Sequence, residues 1–264
     1  MKKKKYGKCH LCCENKELTK EHIPPKRAFN NEKIFTYFGE QLITTIKKKY
    51  PWDLDGLKKT QHQNGVSYYT LCKNCNNNTG SWYANDYIDF IYKIAREILK
   101  RDNLVSNTNI ELKVEDIYPL RIIKQILCMF LSVNPIDFCE EQKYLRNFIL
   151  SKEKTGIDKK KISANLYVLN GEFGRYVGNA QHVSYDLSLQ WMSEVPSPPL
   201  SNVLFLEQKR FFNIYCNITD FANLFSYEDK KTLTLKLPVY ESNSMFPSEH
   251  TTKEKYKEML KNKK

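Results

Sequence analysis

"LCKNC", residues 71–75, repeats a spacing the chain has already used at "KCHLC", residues 8–12. Each stretch is a C-x2-C pair, Cys72 with Cys75 and Cys9 with Cys12. Such a pair sets two sulfurs about 4 Å apart on a tight turn, and two pairs together close a tetrahedral four-thiolate zinc site. Four thiolates leave no open position for water or substrate, so a zinc held there is structural. The pairs are 59 residues apart. The segment between them must leave and return, and the metal would staple both of its ends. A redox C-x2-C is the alternative, but it needs only one pair. Of the eight cysteines, Cys128, Cys139 and Cys216 stand alone in apolar settings and read as free buried thiols. Cys13 reads as a bystander next to the first pair.

The chain has 264 residues, enough for one large domain or two small ones, and 41% are hydrophobic. It contains no apolar run long enough to span a bilayer. The start, "MKKKKYGKCHLCC", is basic but has no apolar stretch behind it, so it is not read as a secretory signal. A cytoplasmic setting is the expectation, and there a disulfide framework is not expected. The formal net charge is +12. Residues 1–80 carry 16 Lys/Arg against 7 Asp/Glu, a net of +9. The other 184 residues carry 26 against 23, a net of +3. Positive charge concentrated around the cysteine pairs points to a polyanionic partner, nucleic acid first. A Lys- and Asn-rich compositional bias is the competing explanation, since only 7 of the 42 basic residues are Arg.

Outward from the second pair, "WYANDYIDFIYKIAREILK" (82–100) sets Tyr87, Ile91, Ile94 and Ile98 on one helical face. "YPLRIIKQILCMFLSV" (118–133) is apolar nearly all round, as in a helix buried on several sides. "PIDFCEEQKYLRNFIL" (135–150) predicts one more helix, opening at Pro135. Residues 81–155 are thus read as helical. Beyond 160 the period becomes two. "VSYDLSLQW" (183–191), "FFNIYCNIT" (211–219) and "TLTLKLPVY" (232–240) alternate as half-buried strands of a largely antiparallel sheet. "EVPSPPLSN" (194–202) reads as a rigid loop, and "TTKEKYKEMLKNKK" (251–264) as a short basic helix or a frayed tail.

Between the two pairs lies "LTKEHIPPK", residues 18–26. Pro24 and Pro25 fix φ and forbid a helix interior, and the residue before a proline is driven toward extended geometry. His22 is therefore expected to end a strand or sit on a stiff turn, the mount an aimed side chain needs. A turn bearing an exposed histidine satisfies the same residues. Lys26 and Arg27 suit phosphate contact or simple solvation. Trp82, Tyr83 and Tyr87 read as core packing, His10 as an exposed knuckle residue, and His62, His182 and His250 have no motif around them.

In order, the C-x2-C at 9–12, "LTKEHIPPK" and "LCKNCNNNTGSWY" (71–83) resemble an HNH-type endonuclease of the ββα-metal (His-Me finger) superfamily. The likeness is to the subgroup whose finger is held by two C-x2-C knuckles. The resemblance covers about residues 6–90. It implies an N-terminal ββα-metal finger carrying structural zinc, which, followed by the helices and largely antiparallel sheet read from the periodicity, makes an α+β chain. A division is expected at about residue 100. Residues 1–100 are expected to form the nuclease domain, and residues 101–264 a helical plus antiparallel β domain whose role is open between targeting, regulation and homo-oligomer formation. It casts His22 as general base and Glu21 and Asn76 as ligands of a catalytic Mg2+ or Mn2+, and beside them Lys26 and Arg27 are the expected nucleic-acid contacts. An imidazole can accept a proton from water at neutral pH, and a hard cation prefers oxygen ligands. Here the acid is Glu where the family usually has Asp, and the last His of the family's name is Asn76. Asn77 and Asn78 compete with Asn76 as ligand, and Asn76 can instead cap the helix that follows. Asn64 is the candidate to orient His22. The activity implied is metal-dependent hydrolysis of phosphodiester bonds in DNA, with bacterial phage defence as an analogous setting. A zinc module that binds nucleic acid or protein without catalysis is the alternative, although it has no use for an acid–His pair on a stiff turn.

Overall fold

In a computed structural model of the chain, residues 4–37, 56–101, 103–171, 173–174, 177–183, 189–207, 215–240, 248–249 and 261 are described. Strands β1 (Lys5–Lys8), β2 (Asn15–His22) and β5 (Ser67–Cys72) form a three-stranded antiparallel sheet in the order β1-β2-β5. In register, Lys5 pairs with Leu18, and Leu18 with Cys72. A bulge at Thr19/Lys20 shifts the end of β2, so that Glu21 and His22 pair with Tyr68 and Ser67. The polar middle holds β3 (Ile34–Tyr37) and β4 (Lys59–His62), which belong to a second sheet, while residues 38–55 lie outside the described set.

Helix α1 (Lys73–Thr79) begins directly after β5. It runs through a π-helical turn, Gly80–Ala84, into α2 (Asn85–Leu99). The expected face of α2 is buried at Tyr87, Ile91, Ile94 and Ile98. Helix α3 (Pro119–Val133) has Pro119 in its first turn and is buried from Pro119 through Ser132 except at Arg121. It packs against α2, β5 and α5 (Lys143–Leu150). Two expectations for this region are corrected. Residues 135–150 form two helices, α4 (Ile136–Glu141) and α5, because Gln142 adopts ψ 46 and interrupts the helical path. Within the stretch read as helical, Thr108–Ile117 is strand β6, burying Ile110, Leu112, Val114 and Ile117. Its partner, β13 (Lys231–Tyr240), lies more than a hundred residues away, and Leu112 pairs with Leu235.

The large sheet runs β6-β13-β7-β11-β10-β9, with β7 Ile162–Leu169, β9 Val177–Val183, β10 Leu189–Ser197 and β11 Leu200–Leu206. A short β12, Cys216–Asn217, pairs with β7. All its pairings are antiparallel except β13 with β7. The predicted rigid loop at 194–202 is instead the tip of the β10–β11 hairpin. Both strands run through it, and the Pro198–Pro199 peptide at its turn is cis. "VSYDLSLQW" is not one strand: β9 ends at Val183, β10 starts at Leu189, and residues 184–188 are outside the described set. Of "FFNIYCNIT", the strand covers Cys216–Asn217, and residues 211–214 are also outside it. The basic end, 251–264, falls outside apart from Lys261.

The molecule is therefore mixed α+β with largely antiparallel sheets. One hydrophobic core contains Leu11 and Cys75 near the cysteine pairs, Tyr83 and Phe90, Leu120 and Phe130, Phe148, Leu166 and Leu237. It joins residues before position 100 to residues after it. No helix among the described residues is long and apolar enough to cross a membrane.

Candidate functional site

The two C-x2-C pairs meet. Cys9 and Cys12 lie on the turn between β1 and β2, Cys72 ends β5, and Cys75 lies in the first turn of α1. Their four sulfurs lie within 4.8 Å of one another. A tetrahedron with Zn–S bonds of ~2.3 Å has edges of ~3.8 Å, so a small contraction seats the ion. Backbone shape holds the knuckle: Cys13 N–H donates to Cys9 O at 2.8 Å and Cys9 N–H to Glu14 O at 2.9 Å. The Cys72 N–H points at Cys9 Sγ, 3.3 Å away. The Cys75 thiol donates to Cys9 and, with backbone amides, holds the Cys9 thiol well below its ordinary range, while burial pushes Cys12 up. A divalent cation replaces those shared protons, and this sulfur set suits zinc. Cys13 stays outside the cluster. His10 is not free filler, because its Nδ1 lies 2.9 Å from Leu131 O at the end of α3 and ties the knuckle to that helix.

Strand β2 ends at His22, as the prolines require. The turn after it is fixed from one buried residue, Asn30, 2% exposed. Its Nδ2 donates to Pro24 O at 2.6 Å and to Val66 O at 2.9 Å, and its Oδ1 accepts from Val66 N–H at 2.7 Å. Ile23 N–H also donates to Val66 O, at 3.1 Å. The chain passes close by at Gly65, φ +72°, where a Cβ would sit 2.0 Å from Asn30 O. The EHIPP turn is thus bolted to the start of β5.

A cavity of about 240 Å3 opens beside this turn. Glu21, His22, Lys26, Asn76, Gln125 and Ser132 are among its walls. The proposed trio therefore shares one space. Neither Asn77 nor Asn78 lines it, and Asn77 borders a separate surface depression with Lys16 and Glu17. Asn76 is not a helix cap either: Cys72 holds that position, and Asn76 lies inside α1. Its Nδ2 donates to Thr19 Oγ1 at 2.9 Å, and Thr19 in turn donates to Leu71 O at 2.9 Å. With the nitrogen so engaged, the amide presents its oxygen on the other side. Lys26 reaches the cavity wall, whereas Arg27 is exposed and does not line it.

Burial raises the Glu21 carboxyl to about 7, and the hydroxyls of Ser132 and Thr70 only partly offset it. Thr70 Oγ1 donates to Glu21 Oε1. Burial also lowers the His22 imidazole, helped by Lys20 and Lys26 and opposed by the backbone carbonyl of Asn64. Asn64 therefore acts on His22 through its main chain, not through the amide its sequence suggests. Three buried polar atoms in the cavity wall make no hydrogen bond of ordinary distance and angle: His22 Nε2, Gln125 Oε1 and Ser132 Oγ, the last lying close enough to the Glu21 carboxyl only to lower it. Such atoms are rare and point to a polar occupant.

Gln125, Ser132 and Asn30 were not singled out in the sequence. Asn30 carries no motif. Gln125, Cys128, Met129 and Ser132 did offer a signal: positions i, i+3, i+4 and i+7 put two polar side chains on one face of an otherwise apolar helix. Comparison of the chain with protein-family models, with curated proteins and with solved structures returns no match.

Proposed function

We propose that the protein is a metal-dependent endonuclease that hydrolyses phosphodiester bonds in nucleic acid, DNA first, with β1, β2, β5 and α1 as a ββα-metal finger around a structural zinc. What supports this above all is the single cavity into which Glu21, His22 and Asn76 converge. The Glu21 carboxylate and Asn76 Oδ1 are hard oxygen donors that fit Mg2+ or Mn2+. When bound, such a cation neutralises charge on the phosphate and on the departing oxygen. His22, held mostly neutral at pH 7 by burial, is free to accept a proton. It takes that proton from a water whose oxygen bonds to phosphorus, while the bond to the departing sugar oxygen breaks and that oxygen gains a proton. Lys26, at the wall, contacts the phosphate backbone, and Arg27 lies outside on the approach.

The test is nicking of supercoiled plasmid with Mg2+ or Mn2+. His22→Ala is expected to lower the rate by about 10²–10⁴-fold, the usual contribution of a general base. Equal cutting by both proteins removes His22 from the chemistry. A second reading, a zinc module that binds nucleic acid or protein without cutting it, has one observation in its favour: His22 Nε2 is buried. Retention of DNA by the wild type, with an intact plasmid across metals, selects that second reading.

A further inference from the structure

The finger supplies only one side of the cavity. The opposite wall comes from α3, a helix more than forty residues downstream of the second cysteine pair, through Gln125, Cys128, Met129 and Ser132. Gln125 is 8% exposed and Ser132 2%. Burying a polar atom without a partner costs free energy, and close-packed helices do not carry two such atoms on one face without a reason. The remainder of α3 shows how well the helix is otherwise matched. Its buried Lys124 donates to Phe148 O at 2.8 Å and to Ser151 O at 2.5 Å. The unmatched atoms, Gln125 Oε1 and Ser132 Oγ, are confined to the face that meets Glu21 and His22.

The chemistry of the wall narrows the occupant. Glu21, Asn76, Gln125 and Ser132 present carboxylate, amide and hydroxyl oxygens, and the lysines of the lining, Lys20 and Lys26, are both exposed residues at its rim. A hard divalent cation takes about six oxygens and keeps several waters among them. The cavity, about 240 Å3, has room for those waters. We propose that α3 supplies the outer half of the cation site, Gln125 Oε1 and Ser132 Oγ holding the waters that complete the oxygen shell of the divalent cation carried by Glu21 and Asn76. This rests on the reading of Glu21 and Asn76 as ligands. Its new content is that the cation site is built from both parts of the chain.

The experiment is Mn2+ titration of the full-length, zinc-loaded protein, followed by calorimetry and by the Mn2+ paramagnetic resonance signal, with thermal melts before manganese is added. The variants are Gln125→Met and Ser132→Ala, with Glu21→Gln as control. Each α3 variant is expected to weaken Mn2+ binding by about 10- to 100-fold, the usual effect of losing an outer-shell partner. Each is also expected to melt at the same temperature as wild type or higher, because it removes a buried polar atom that made no hydrogen bond of ordinary geometry. A role in packing alone would lower the melting temperature and leave Mn2+ affinity unchanged. Affinity lost in Glu21→Gln but retained in both α3 variants overturns the present inference and spares the ligand role of Glu21. A wild type that binds no Mn2+, or a Glu21→Gln that binds it as tightly, overturns both.

Discussion

Asn30 spends both ends of its amide on the backbone of the EHIPP turn and of the segment leading into β5. Asn30→Ala strands the Val66 N–H and the Pro24 carbonyl in a buried place, while Val66 O keeps the Ile23 N–H, and each stranded group costs about 1–3 kcal/mol. The expected loss of stability is about 3 kcal/mol, read from urea denaturation of the full chain. An unchanged midpoint would show that the turn holds itself. Gly65→Ala attacks the same junction from the other side. Its Cβ meets Asn30 backbone at 2.0 Å with φ already +72°, so destabilisation is expected there too. Under the proposed function, Lys26 would make a different kind of contact, sequence-independent and ionic. Lys26→Ala should weaken DNA binding evenly across sequences and lower the slope of log affinity against log salt by about 1, measured by fluorescence anisotropy from low to moderate salt.

At the scale of elements, the cysteine pairs join a hairpin turn, a strand end and a helix start. Cys72→Ser removes the thiolate at the strand end. Zinc content, measured on purified protein, is expected to fall from about one per chain to well below it, and the sheet β1-β2-β5 to lose its order. A wild type without zinc would remove the staple altogether. Helix α3 carries a second device. Lys124 reaches carbonyls at the end of α5, and burial, with Lys154 adding a little, brings its ammonium down to about 7. Between about pH 7 and the ordinary lysine range the unfolded chain holds a proton there that the folded chain has released. Raising pH through that window therefore favours the folded state. Thermal melts from pH 6.5 to 9.5 should show wild type gaining on Lys124→Met as pH rises, and a constant gap would place the lysine's charge outside the stability balance.

For the whole molecule, the decisive feature is the shared core. Tyr87, Phe90, Ile91 and Ile94 of α2 belong to the same buried cluster as Ile123, Leu127 and Phe130 of α3 and Leu166 and Leu237 of the large sheet. Cutting the chain at residue 100 leaves that face of α2 without its cover. A fragment of residues 1–100 is expected to bind hydrophobic dyes, to show weak near-ultraviolet dichroism, and to lose cutting activity even when zinc-loaded. A fragment that melts cooperatively and nicks plasmid would show that the later residues are dispensable.

Local rules carried a good part of this structure. C-x2-C spacing brought four sulfurs together, two prolines ended β2 at His22, and helical periodicity marked the buried face of α2, because each depends on covalent geometry or on neighbours within a turn or two. Strand β6 escaped because its alternating pattern is stabilised by a partner more than a hundred residues away, and a strand without its partner has no hydrogen-bond ladder to reveal it. The break at Gln142 and the cavity face of α3 escaped for a related reason. Spacing puts Gln125 and Ser132 on one face of α3, but whether that face meets packed side chains or a cavity beside His22 is decided by long-range burial, where sequence spacing has no hold.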